Sequence, residues 1–323
     1  MTINLHTNEN PYLPDEKIHQ AAMKGLDYIN RYPELSDINE LKKLLSKYNA
    51  DFHSEQIILS HGSDLLLREI INIFSKNRKI MMLSPSFFSV SQYALKQAGK
   101  LTKFQLSPPH FALDTDFLLN ELNEPTLLLI DNPNNPTGKI VLNYDLVEKI
   151  LQNKKTLVLV DEAYFEFSGQ TFAGLLKKHP NLAITRTMDK AFSLAGLRLG
   201  YLLAGDYFKN YFTDYSQLLS NPTVFAAIES LKNIELMKQV VAKIVDERER
   251  VSIKLKELGF EVFPSEANFL LIKSKIPELA LKLKNKGILI YDLSSIYFND
   301  FYRITIGNSN ENDNLLITIL KID

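Results

Sequence analysis

Short apolar runs separated by helical or turn-rich stretches fill the middle of the chain, and this alternation restricts the fold more than any other feature. Residues 57–59, 79–83, 101–106, 126–130, 156–160 and 182–187 each read as a buried strand, and 198–204 as another. Between them, residues 65–74, the segment through Tyr93 and Leu95 that closes at Gly99, and residues 117–122, 144–152 and 172–178 read as helices. Strands that alternate with helices imply an α/β fold, doubly wound, with a mainly parallel sheet and helices on both faces. In such a sheet ligands bind beyond the carboxyl ends of the strands.

Those ends carry reactive and hydrogen-bonding side chains. The strand at 126–130 runs into Asp131-Asn132-Pro133-Asn134-Asn135-Pro136-Thr137-Gly138, where two Asn-Pro steps and a glycine force a tight loop. The strand at 156–160 ends at Asp161-Glu162-Ala163-Tyr164, and that at 182–187 runs through Thr187 to Lys190. After residues 57–59 comes Ser60-His61-Gly62-Ser63-Asp64, a turn and helix start whose free N–H groups can hold an anion, although Ser63 or Asp64 can equally serve as a plain N-cap. Lysines beside apolar segments are commonly solvated. One at a strand end, however, can bond an aldehyde cofactor, with Thr187 before it and Arg198 after it available for that cofactor's phosphate.

The flanks read differently. Residues 5–14 are polar, hold two prolines and read as an arm, followed by helices at 15–25 and 35–48. Beyond residue 204 the chain turns helical around a proline-marked 220–223, and a long amphipathic helix covers roughly 238–258 before Gly259. Strands near 260–263, 269–272, 288–291 and 302–306, with a helix at 279–286, read as a smaller α+β domain. The expected division is an N-terminal arm (1–27), a large domain (28–232) and a small C-terminal domain (233–323).

Composition narrows the ligand. With 323 residues, 45% of them hydrophobic, the chain can build a substantial core. Lys plus Arg number 37 against 38 Asp plus Glu, with no long block of one sign, so small molecules are expected rather than nucleic acid or a membrane surface. The absence of cysteine excludes disulfides, thiolate metal sites and cysteine nucleophiles. No metal site is expected. The start of the chain lacks a secretory leader and the apolar runs are too short to span a bilayer, so a cytoplasmic protein is expected.

Taken in order, Asn8-Glu9-Asn10-Pro11, Arg31-Tyr32-Pro33, Gly62-Ser63-Asp64, Asn134-Asn135-Pro136-Thr137-Gly138, Asp161-Glu162-Ala163-Tyr164, the stretch from Thr187 to Arg198 and Arg303-Ile304-Thr305-Ile306-Gly307 cover nearly the whole chain. Together they resemble the fold-type-I pyridoxal-phosphate aminotransferases, most closely the histidinol-phosphate aminotransferase group. The resemblance implies pyridoxal 5'-phosphate on Lys190, which also moves the proton, with Asp161 on the ring nitrogen and Asn135 and Tyr164 on the phenolic oxygen. It implies Phe87 on the ring face, although Phe87 also reads as a core residue. Ser63, Asp64, Thr187 and Arg198 would hold the phosphate together with the partner subunit's Tyr32, hence a homodimer with shared active sites. Arg303, which also reads as a strand-edge arginine, would clamp a substrate carboxylate, with Asn10, Tyr12 and Tyr291 on the substrate side. The implied reaction moves an amino group between an amino acid, histidinol-phosphate-like or unphosphorylated and aromatic, and a 2-oxo acid such as 2-oxoglutarate. Phosphothreonine decarboxylases resemble this chain too, and a non-catalytic binding protein on the same fold is a further alternative.

Three positions depart from the pattern. Asp189 stands where the family usually has serine, so its carboxylate is expected to turn from the phosphate or pair with a cation. Tyr291 occupies the position of an arginine that grips a substrate phosphate, and Leu13 that of a glycine. The cofactor site reads as intact and the substrate site as altered.

Overall fold

The computed structural model describes residues 2–212 and 216–322; the helical character expected beyond residue 204 falls partly on residues 213–215, outside the described residues. The strands are β1 (Ile3–Leu5), β2 (Ile57–His61), β3 (Lys79–Ser84), β4 (Leu101–Gln105), β5 (Thr126–Asp131), β6 (Thr156–Asp161), β7 (Leu182–Thr187), β8 (Leu199–Ala204), β9 (Glu261–Val262), β10 (Phe269–Lys273), β11 (Ile288–Asp292) and β12 (Phe301–Thr305). A seven-stranded sheet runs β2-β8-β7-β6-β5-β3-β4, and only β8 is antiparallel to its neighbours. Its central strands are largely apolar because both faces are covered: Leu127 and Leu129 of β5 enter one core, Leu128 and Ile130 the other. Helix Ser63–Phe74 packs on the first of these through Leu66, Leu67, Ile70, Ile71 and Phe74, the stripe that its 3.6-residue period predicts.

The second sheet runs β1-β11-β12-β10-β9. Its first strand corrects the reading of the N-terminus as an arm only. Ile3, Asn4 and Leu5 pair in parallel with Ile288, Leu289 and Ile290, and Leu5 is fully buried. Three residues are too few to display a period, so pairing with a strand nearly three hundred residues away decides their conformation. Helix Ile234–Glu257 starts earlier than its pattern suggested, and Ser309–Ile319 went unread despite its capping box, Asn308 with Glu311. The helix expected at 172–178 is a single 3₁₀ turn, Ala173–Leu175, and the strand expected at 260–263 shrinks to Glu261–Val262. Among the described residues, no helix is long and apolar enough to cross a membrane.

Candidate active site

A cleft opens beyond the carboxyl ends of β5, β6 and β7, and residues of both sheets line it. Lys190 lies three residues past β7, and its Nζ donates to the Thr7 carbonyl at 3.2 Å. Burial, and then the charge of Arg303, bring its amine down to about 8. Asp161, the last residue of β6, accepts a hydrogen bond from the Thr185 hydroxyl at 3.0 Å. Burial, and then neighbouring Asp131, push its carboxyl up to about 7. No ion pair holds Asp161 among the described residues. The Tyr164 hydroxyl accepts from the Asn8 amide at 3.0 Å and stands 3.4 Å from that of Asn135.

One end of the cleft is formed by a helix start. Gly62, at φ 83°, turns β2 into helix Ser63–Phe74. A Cβ on Gly200 of β8 would fall 2.2 Å from the Ser63 amide nitrogen, so only glycine there lets the helix start approach the sheet. The helix N-terminus, the Thr187 hydroxyl and the Arg198 guanidinium meet at this end. Arg198 donates to Asp64 Oδ1 at 2.9 Å and to Asp189 Oδ2. Asp189 therefore pairs with a cation, as its chemistry required, while its buried Oδ1 has no partner.

At the other end, Arg303 of β12 is buried in the middle of its sheet rather than exposed on an edge. It donates to Asn135 Oδ1 and to the His6 carbonyl, each at 2.6 Å, and its Nε has no partner. Its guanidinium lies 4.6 Å from the Tyr291 ring centre, and Tyr291 meets the His6 ring edge-on at 4.8 Å. Among the described residues no carboxylate pairs with Arg303.

Of the side chains singled out from the sequence, Ser63, Asp64, Phe87, Asn135, Asp161, Tyr164, Thr187, Lys190, Arg198, Tyr291 and Arg303 line this cleft. Asn10 and Tyr12 do not line it. The Asn10 amide is spent on the backbone carbonyls of Lys190 and Ala191, at 3.0 and 3.2 Å. That turn carries Tyr12 into a separate pocket with Leu13 and Lys243. Tyr32 is 78% exposed and does not line the cleft. Asn8, Asp131 and His6, to which the sequence assigns no role, also line the cleft. Asn8 begins the Asn8-Glu9-Asn10-Pro11 segment, and Asp131 ends a strand as Asp161 does.

The residues present fit pyridoxal phosphate. A carboxyl without a counter-cation can take a protonated ring nitrogen, an amine brought down to about 8 can bond an aldehyde, and the helix start with Arg198 and Thr187 can take a phosphate. The family model of aminotransferases class I and II matches residues 1–319. The chain is 34% identical to histidinol-phosphate aminotransferase 2 of Archaeoglobus fulgidus, over 99% of this chain and 93% of that one. It is also 34% identical to histidinol-phosphate aminotransferase of Sulfurisphaera tokodaii, over 97% and 88%. In fold it is similar to the histidinol-phosphate aminotransferase from Clostridium acetobutylicum (TM-score 0.88, 24% identity, 99% of this chain and 98% of that one). The same holds for the Sinorhizobium meliloti histidinol-phosphate aminotransferase in complex with pyridoxal-5'-phosphate (TM-score 0.86, 23% identity, 100% and 92%). With the family model spanning nearly the whole sequence, the chain belongs to the class I and II aminotransferases and is a pyridoxal-phosphate-dependent transaminase.

Proposed function

We propose that this cleft transfers the amino group of an amino substrate carrying one anionic group to a 2-oxo acid, with Lys190 as attachment point and base. The observation that carries the reading is that one cleft holds both a lysine whose amine burial brings down to about 8 and a buried arginine that no carboxylate among the described residues pairs with. When bound, the cofactor supplies an electron sink for the electron pair left on the substrate's amino carbon. Asp161 would keep a proton on the ring nitrogen, Asn135 and Tyr164 would hydrogen-bond the phenolic oxygen, and Phe87 would cover the ring. The helix start at Ser63 and Asp64 would hold the phosphate through its N–H groups, together with Thr187 and Arg198. Lys190, once free, carries the proton from the substrate carbon, and Arg303 binds the substrate anion with the fork geometry that suits carboxylate or phosphate.

The names of the relatives favour histidinol phosphate as amino donor. Neutral Tyr291 with the His6 ring favours an unphosphorylated, aromatic donor, since a phosphate would meet the single cation Arg303 there. A homodimer in the cytoplasm belongs to the same reading. Exposed Leu13, Ile29, Tyr32 and Leu35 on the N-terminal segments would be covered by the second copy, and the partner subunit's Tyr32 would reach the phosphate. The test is a half-reaction screen that follows the visible absorption of the bound cofactor as amino donors are added, histidinol phosphate against phenylalanine, tyrosine and glutamate. Bleaching by a subset of donors is expected. Lys190→Ala should lower turnover by at least about a thousandfold; a variant that still turns over normally removes Lys190 from the reaction.

A further inference from the structure

We propose that Asp131 is a second carboxylate of the cofactor-ring site, a positioning residue that fixes the Asn134–Asn135 loop against Arg303 and adds its negative charge beside Asp161. This rests on the reading that Lys190 and Asp161 hold pyridoxal phosphate. Asp131 ends β5 as Asp161 ends β6, and the two residues are in register in parallel neighbouring strands. Such neighbours are about 4.8 Å apart and point to the same face. Asp131 is buried, and both line the cleft.

Three donors converge on the Asp131 carboxylate. Oδ1 accepts from the Ser86 hydroxyl and the Asn134 amide, each at 3.0 Å, and Oδ2 from the Asn135 N–H at 2.8 Å. That last bond fixes the residue whose side chain reaches both Arg303 and Tyr164. Asp131 thus links the substrate arginine to the ring site through one residue. No cation pairs with Asp131 among the described residues, and burial raises its carboxyl to about 6 against these donors. A loop anchor alone needs hydrogen-bond acceptors, which a neutral amide oxygen could partly supply. A charge placed beside a second carboxylate is costly unless a cation is to occupy the space before them. The titratable groups facing the pair are Glu162, Tyr164, Lys190, Tyr297 and Arg303. Of these, Glu162 is already paired with Arg186.

The test compares parent, Asp131→Asn and Ser86→Ala holoenzymes by titrating the visible absorption of the bound cofactor with pH and by steady-state kinetics. Losing the Asp131 charge should lower the absorption midpoint by about one pH unit. KM for the amino substrate should rise roughly tenfold as the Asn134–Asn135 loop loosens its hold on Arg303. Ser86→Ala, which removes one donor and lets the carboxylate protonate more readily, should move the midpoint the same way by less. It decides the matter if Asp131→Asn does not fold. An unmoved midpoint in a variant that retains the cofactor overturns the proposal and leaves Asp131 a loop anchor. Failure of the underlying reading looks different: the parent itself would show no visible band.

Discussion

Asp161 and Glu162 are consecutive carboxylates with opposite fates. Glu162 is fully buried and saturated: its Oε2 accepts from Arg186 Nε and Nη2 at 3.1 and 2.7 Å and from the Thr171 hydroxyl at 2.8 Å, and its Oε1 from the Phe172 N–H at 2.7 Å. Arg186 also donates to Asn49 and lies 3.6 Å from the Phe165 ring centre. This network is closed, and its geometry offsets the cost of burying both charges. Asp161, one residue earlier, has a single side-chain donor and no cation, and across the cleft Arg303 Nε and Asp189 Oδ1 are likewise left open. Within a cleft, buried groups left unpaired are where a ligand can complete the pairing.

The sharpest way to break this comparison is to unbalance the closed network. Glu162→Gln leaves buried Arg186 without its ion-pair partner, with Glu166 the carboxylate that remains near it, and should destabilise the protein by about 3–5 kcal/mol. Urea unfolding of the apoprotein measures it. The visible absorption per folded molecule should stay as in the parent, because Glu162 does not line the cleft. Loss of the cofactor with unchanged stability would show that the two networks are not separate.

How much of this was legible in the sequence follows from how local each determinant is. The parallel sheet was readable because β3, β5, β6 and β7 are each a compact apolar run, and each strand end exposed its chemistry in consecutive letters, as in Asp161 to Tyr164. Residues such as Ile3–Leu5 were not, because a partner at Ile288–Ile290 imposes their strand. Arg186 is an arginine inside an otherwise ordinary strand, and nothing near it in sequence announces Glu162, Asn49 and Thr171 as its partners. The surroundings of Asn10 and Tyr12 were hidden for the same reason. Their motif was visible, whereas the path of the chain after Asn10 is set by the carbonyls of Lys190 and Ala191.

The open half of the comparison carries a pH signature. The Asp161 carboxyl stands near 7 in the folded chain, against 3.8 for the unperturbed group. Its charged form is therefore penalised by folding. That contribution to stability is fully favourable below about pH 4 and lost as pH rises through about 7. Asp161→Asn removes the titration, so the apoprotein variant should gain on the parent between these limits and hold a constant lead above them. By linkage, a carboxyl raised from 3.8 to about 7 corresponds to roughly 4 kcal/mol, so the lead should be a few kcal/mol. The same variant should bind the cofactor more weakly. A variant less stable than the parent at pH 8 would mean that the carboxylate is already compensated.

The smallest effect concerns Asp189, the carboxylate at the anion end. Arg198 there serves two carboxylates, Asp64 and Asp189, so the side chains of this corner sum to one negative charge before any phosphate arrives. The helix N-terminus and Thr187 must then outweigh that charge. Asp189→Ser replaces one carboxylate with a hydroxyl and frees an Arg198 N–H for the phosphate. Repulsion between charges a few ångströms apart at the rim of a protein is worth a few kcal/mol, and the lost hold on Arg198 cancels part of it. Cofactor affinity should therefore rise about tenfold, which equilibrium dialysis of the apoprotein against pyridoxal phosphate reads directly. Weaker binding would show the reverse balance, in which Asp189 serves the site by orienting Arg198 and the open end of the comparison is more finished than its charges suggest.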